Sequence, residues 1–307
     1  MALVATRTSI SGKAFDSVNY LLLALFALSI AYPFWTLILQ SFSSIDAVNS
    51  MRLKIWLDAW HLEAWGFVLQ DDTIGLAYLN TIFRTVVGTA LTLLVTFSAA
   101  YALSKRLLPG RALLTFLFVF TLFFQGGLIP TYLVVRRLDL INTRLILLLL
   151  PAMSTFYIII CRNFLMTIDE SLEESAVIDG AGYWRVLFQI IIPLSKPALA
   201  TIALFSAVYH WNDFFLPLIY VNDDDKRVLQ ELIRDLMMDL SLLQTDQFIS
   251  ELTEELRESE QFRELMRIPP KAAQAATVLL TIGPIVFIYP FLQKYFVKGV
   301  MLGSLKG

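Results

Sequence analysis

Residues 167–197 read Thr167-Ile-Asp-Glu-Ser-Leu-Glu-Glu-Ser-Ala-Val-Ile-Asp-Gly-Ala-Gly-Tyr-Trp-Arg185, then Val186-Leu-Phe-Gln-Ile-Ile-Ile-Pro193-Leu-Ser-Lys-Pro197. Thr167-x-x-Glu170 and Ser171-x-x-Glu174 each fit a capping box. Either one starts a short helix with acids in its first turn, where the helix dipole favours them. Leu172, Ala176 and Asp179 fall near one face, which Ala176 keeps thin. Gly180 ends the helix, because glycine accepts the left-handed C-cap conformation, and Gly182 adds freedom for a change of direction. A second, amphipathic helix follows with Trp184, Leu187, Phe188 and Ile191, and Pro193 and Pro197 close it. Two short helices at an angle fit either a groove on another protein or a connector lying on lipid headgroups; periodicity by itself favours the connector.

The surroundings of this stretch are membrane-like. Of the 307 residues, 57% are hydrophobic and 16% charged, against about a quarter charged in soluble chains. A helix needs roughly 20 apolar residues to cross the hydrocarbon. Six segments meet or approach that: 18–41, 76–104 with Arg84 inside, 111–136, 144–162, 197–221 with Asp213 inside, and 271–294. The first is too long for the apolar part of a signal peptide and no A-x-A site follows it, so it reads as a retained span. Trp56, Trp60 and Trp65 in the first long connection suit an interface. The second, residues 222–271, starts with three aspartates and stays acidic; Val228–Met237 has a helical apolar pattern and 248–266 a second one, stopped by Pro269-Pro270. Lys and Arg are enriched in the segments that share a side with the termini, but the 222–271 loop adds basic residues to the other side, so the positive-inside rule supports cytoplasmic termini only in part.

Several chemistries are disfavoured. A net charge of −2 excludes a broadly basic nucleic-acid surface. One cysteine, Cys161, forbids an intramolecular disulfide and reads as an inert small hydrophobe; with two histidines it leaves no basis for a protein-only zinc site. No G-x-x-x-x-G-K-[ST] loop occurs to hold a nucleotide. No catalytic set and no resident cofactor are expected.

The stretch Glu174-Ser-Ala-x-x-Asp179-Gly180-Ala181, with Phe188, Ile191, Pro193 and Pro197, resembles the EAA loop of permease subunits of binding-protein-dependent ABC importers, departing from it at Ser175, where that family has Ala. Trp211-Asn212-Asp213-Phe214, Gln125-Gly-Gly-Leu-Ile-Pro-Thr-Tyr132 and the tail Tyr289–Gly307 are similar to the sugar-importer branch of the MalG and LplC types, the tail most of all to the LplC and YtcP group. The resemblance implies an all-α integral membrane protein with six transmembrane helices, the type I importer permease fold, and a cytoplasmic coupling helix. It implies a first span and outer loop within 1–70, a permease core at 71–296 and a cytoplasmic tail at 297–307. It also implies ATP bound by a separate ATPase dimer, a second permease subunit, an extracytoplasmic sugar-binding protein, a bacterial cell membrane, and an oligosaccharide as cargo.

On that likeness Glu174, Ala176, Asp179, Gly180, Ala181 and Gly182 couple to the ATPase. Polar groups inside spans are functional candidates, so Trp211, Asn212 and Asp213 are expected on the substrate path, as are Gln125, Tyr132 and Asn80. For Asn212 and Asp213, bonding between helices is an equal alternative. Arg84 is expected to snorkel to the interface, with pairing to Asp213 the alternative, and His210 to pack. The rivals are an ABC permease for another solute, a secondary transporter, for which no internal repeat is visible, and an intramembrane enzyme.

Overall fold

A computed structural model of the chain describes residues 10–44, 47–48, 56–57, 59–70, 72–242 and 269–286. Among these residues there are helices and turns and no strand. The described residues fall into two compact units, one within 1–70 and 237–280, the other within 71–236 and 281–307.

In the first unit α1 (Ile10–Ser41) is a single long helix whose residues 13–35 are exposed throughout, as an apolar helix bathed in lipid must be. Beyond it Phe42 packs against Trp60 edge-on and Trp65 face-on, at centroid distances of 5.1 and 5.7 Å, and the His61 N–H donates to the Phe42 carbonyl at 3.0 Å. The expected tryptophan-rich connection is thus folded back on the end of α1, with α2 (Glu63–Leu69) inside it.

The second unit is organised by α3 (Asp72–Ser104), 33 residues long and about 50 Å by helical rise. The chain continues through α4 (Arg111–Phe123), α5 (Leu128–Arg137), α6 (Ile146–Ala152), α7 (Thr155–Leu165) and α8 (Glu170–Ile178). Next come α9 (Tyr183–Leu194, with a π turn at Leu187–Ile191), α10 (Lys196–Asn212), α11 (Phe215–Tyr220), α12 (Leu229–Leu242) and α13 (residues 270–286), of which residues 237–242 of α12 and 270–280 of α13 are counted in the first unit. Against α3 pack chiefly α10, α7 and α6.

The spans expected at 18–41 and 76–104 are single helices, whereas those expected at 111–136, 144–162 and 197–221 are broken. The segment 111–136 is not one rod: α4 and α5 meet at 115°, because Phe124 leaves the helix with extended backbone (φ −118°, ψ 95°). With 13 residues α4 extends only about 20 Å, short of the roughly 30 Å hydrocarbon layer. The segment 144–162 bends by 48° between α6 and α7, at the extended residues Met153 and Ser154. The last span begins in α13 as expected; its end near Lys294, the helix expected at 248–266 and the tail at 297–307 lie outside the described residues.

Between helices in lipid there is little hydrophobic driving force, and close approach of small residues supplies the packing instead. Ala100 and Cys161 are fully buried where α3 meets α7, beside Phe97, Ile158 and Ile202. Higher on α3, a Cβ on Gly88 would lie 2.5 Å from the ring of His210, itself 1% exposed. Gly88 therefore sets how near α10 comes, and His210 is a packing residue as expected. Replacing Gly88 by Ala is expected to cost about 1–3 kcal/mol through overpacking. In thermal unfolding of the detergent-solubilised protein, G88A and H210A together should cost less than the sum of the two single changes; strict additivity would contradict this packing.

Candidate functional site

The turn between α8 and α9 is built by local backbone chemistry. Asp169 caps α8, its Oδ1 accepting the Ser171 N–H at 3.0 Å. That hydrogen bond holds the Asp169 carboxyl below the usual carboxylate range. Neither of the two expected capping boxes forms: with Asp169 available, an acid two residues ahead of Ser171 satisfies the orphan donor, and the Ser171 carbonyl instead takes the Ser175 hydroxyl at 2.7 Å. At the other end Gly180 has φ +83°, its N–H bonds the Val177 carbonyl at 3.0 Å, and the Ala181 N–H bonds the Ala176 carbonyl at 2.9 Å. This pair of bonds is the Schellman termination, which needs a left-handed residue at Gly180. Gly182 has φ −72° and ψ 163°, which any residue adopts, so the freedom expected of it is not used.

One side of this elbow is packed and the other free. Ala176 and Ala181 rest against the cluster of Leu103, Leu165 and Val186. Glu173 pairs with Lys105 and Glu170 with Arg106, at 3.3 Å for the latter, so the residues just after α3 hold α8 by two ion pairs. Glu174 and Asp179 face outward, and Ile178, Tyr183 and Trp184 are 85, 88 and 73% exposed. The residues expected to couple thus divide: Ala176 and Ala181 seat the elbow, Gly180 turns it, and Glu174 and Asp179 are presented on its surface. Sequence reasoning missed Glu173; its spacing from Glu170 and the Lys105-Arg106 pair at the end of a span were the available signal.

The second polar site lies within the helices. Arg84 does not snorkel. It is 2% exposed, pairs its Nη2 with the Asp213 carboxylate and donates from Nη1 to the Asp213 carbonyl at 2.9 Å. Its distance from either end of α3 explains the difference, since three methylenes cannot carry the guanidinium to water from there. Asp213 breaks the fifth span with extended backbone (φ −78°, ψ 113°), and its Oδ1 accepts the N–H groups of Phe215 and Leu216 at 3.0 and 3.3 Å. The carboxylate therefore caps α11 and neutralises Arg84 at once.

The other residues expected on the path are placed as follows. Trp211 is 6% exposed; its indole N–H donates to the Thr281 carbonyl at 3.2 Å and its ring meets Tyr78 edge-on, so it offers no free stacking face. Asn80 is buried, its amide donating to the Asp225 and Arg227 carbonyls at 2.9 Å each. Next to it the Thr81 hydroxyl accepts the Leu229 N–H at 2.9 Å, so the start of the 222–271 segment is tied to α3. Tyr132 stacks on Tyr220 with centroids 5.9 Å apart. Asn212 and Gln125 are exposed, the Asn212 amide donating back to the Val208 carbonyl at 2.8 Å.

Residues 106–302 match the family described as the binding-protein-dependent transport system inner membrane component. The chain belongs to this family. It is 39% identical over 96% of its length to the polygalacturonan/rhamnogalacturonan transport system permease protein YtcP of Bacillus subtilis (strain 168), covering 99% of that protein. It is also 39% identical over 97% of its length to protein LplC of the same organism, covering 96% of it. A crystal structure of a bacterial ABC transporter involved in the import of the acidic polysaccharide alginate contains a chain similar to this one, with a TM-score of 0.80 and 35% identity over 94% of this chain and 98% of that one. The all-α importer-permease fold and the sugar-permease resemblance of the sequence are thereby established.

Removing one member of a buried ion pair costs about 3–5 kcal/mol, because the other charge is left uncompensated. R84Q and D213N are each expected to lower the thermal stability of the purified protein on that scale, while R84Q/D213N loses less than the two single costs combined. Single variants that melt like the wild type would remove the pair from its proposed place.

Proposed function

We propose that this chain is one of two membrane-spanning subunits of an ATP-driven importer, that it forms part of the path for an oligosaccharide, and that α8 is its coupling helix. The observation that carries the reading is the elbow. A surface bearing Glu174, Ile178, Tyr183 and Trp184 is exposed, yet its other side packs through Ala176 and Ala181 on the cluster containing Leu103 of α3, and Glu173 and Glu170 pair with Lys105 and Arg106 just after α3. A partner that moves this surface moves α3, and with it every helix packed on α3. Rigid-body motion of that kind is how such switches work.

In this reading ATP is bound and hydrolysed by a cytoplasmic ATPase dimer that seats α8 in a cleft, with Glu174 facing a basic residue. Both termini are cytoplasmic. A second permease subunit, a different chain, completes the path. A binding protein outside delivers the sugar to the 222–271 segment, whose first residues are anchored to α3 by Asn80 and Thr81. Of the residues assigned to the path, Asn212 and Gln125 have exposed polar side chains suited to sugar hydroxyls. Asp213, Trp211, Asn80 and Tyr132 would act by fixing the shape of the wall. Support for an acidic oligosaccharide comes from the substrates named for the relatives, polygalacturonan in one case and the acidic polysaccharide alginate in the other.

Two measurements test this. In the complex purified from its own membranes and reconstituted with its binding protein, E174K should leave membrane insertion intact and lower sugar-stimulated ATP hydrolysis at least tenfold, about the cost of a lost charge-assisted contact turned repulsive. Normal stimulated hydrolysis would sink the coupling role of α8. Uptake of labelled oligogalacturonate should be competed by acidic and not by neutral oligosaccharides of equal length; equal competition would remove the acidic assignment and leave the importer reading standing.

A further inference from the structure

Two arginines from different helices converge where α3 ends. Arg111 opens α4 and Arg162 lies in the last turn of α7, and the Nε–H of each donates to the same acceptor, the Leu103 carbonyl, at 3.0 and 3.1 Å. Leu103 is in the final turn of α3, so its carbonyl is among those without an intrahelical partner and carries part of the negative end of the helix dipole. That partial charge is well short of balancing two guanidinium ions.

Nothing else at this end balances them. Among the described residues neither arginine forms an ion pair. The carboxylates nearby are already engaged: Glu173 by Lys105, Glu170 by Arg106, and Asp169 by the Ser171 N–H. Among the described residues the one further contact of either guanidinium is a weak one, from Arg111 Nη2 to the Met166 sulfur at 3.4 Å. Arg111 Nη1 and both terminal nitrogens of Arg162 therefore keep unused donors, on side chains whose Nε groups are pinned.

Pinned guanidinium forks with free outer N–H groups are suited to a tetrahedral oxyanion, which they hold bidentately. The surroundings narrow the choice of ligand. No residue of α4 is buried: Phe118 packs against the α3–α7 cluster, but Leu113, Leu114, Phe116 and Leu117, in the two turns after Arg111, are exposed. A ligand here meets charge at one end and a bare apolar helix beyond it.

We propose that Arg111 and Arg162 hold the phosphate of an anionic phospholipid, whose acyl chains lie along α4. The site rests on the membrane placement of this family and not on the coupling role of α8. Its position gives the lipid a consequence: by tying α4 and α7 to the end of α3, it braces the turn from which Lys105 and Arg106 hold α8.

Native mass spectrometry of the assembled transporter tests this, with phosphatidylglycerol and phosphatidylcholine of the same chain length titrated in competition. The wild type should retain phosphatidylglycerol preferentially. R111Q/R162Q should bind it about 30-fold more weakly, the loss expected for two basic residues near an anionic headgroup, whereas R136Q, at the distant end of α5, should bind as the wild type does. Should R111Q/R162Q fail to assemble, R111K/R162K keeps both charges without the forks and should still lose affinity several-fold. An absent preference in the wild type, or an unchanged preference in either double variant, would overturn the site. Displacement of the lipid by inorganic phosphate at equal concentration would overturn the assignment to a lipid and leave a free phosphate as the ligand.

Discussion

The ion pair between Arg84 and Asp213 is the constraint on which the second unit depends. A helix broken within a membrane exposes N–H groups that lipid cannot satisfy. At the break after Asn212 the Asp213 carboxylate takes two of them, from Phe215 and Leu216. The carboxylate then needs a cation out of reach of water, and Arg84 supplies it while also binding the Asp213 carbonyl. For Arg84 to arrive, α10 must lie close on α3, which Gly88 allows by leaving space for the His210 ring. Each feature makes sense only with the others, so the break, the pair and the close approach form one unit of structure.

The same long helix serves both ends of the second unit. Near its start Asn80 and Thr81 hold the backbone at Asp225, Arg227 and Leu229. There the segment is further stiffened by Arg227 with Glu231 and Asp235, and by Lys226 with Asp223. Burial pushes the Glu231 carboxyl above its ordinary range, against the pull of Arg227, whereas the Lys226 hydrogen bond lowers that of Asp223. Just past the other end of α3, Lys105 and Arg106 hold α8. A single rod of 33 residues thus links the anchored loop, the buried pair and the α8–α9 elbow.

How much of this was legible in the sequence depended on the range of the interaction. The elbow was readable because its devices are local: Gly180 turns the chain, small alanines seat it, and acids open α8. Even there a choice between Thr167 and Ser171 as the cap missed Asp169, since three capping-competent residues at alternate positions compete and spacing does not rank them. Hydropathy located the spans but not their breaks: Phe124 and Met153 interrupt helices without interrupting apolar composition, and Asp213 was visible as a charge but not as a break. The pairing of Arg84 with Asp213 joins residues far apart in sequence, so the local argument for snorkelling was the weaker guide. Trp211 and Asn80 were assigned from residue type to a sugar path, whereas each spends its N–H groups on a backbone carbonyl of another element.

The central claim is that α8 carries force from an ATPase into α3. The most direct test is a photo-crosslinking amino acid at Ile178, on the outward face of α8, in membranes containing the whole transporter. The account predicts a crosslink to a nucleotide-binding subunit whose yield changes when ATP is trapped by a hydrolysis-blocked variant of that subunit. Crosslinks to lipid alone, with no protein partner under either condition, would contradict it and return α8 to the role of a connector resting on the headgroups.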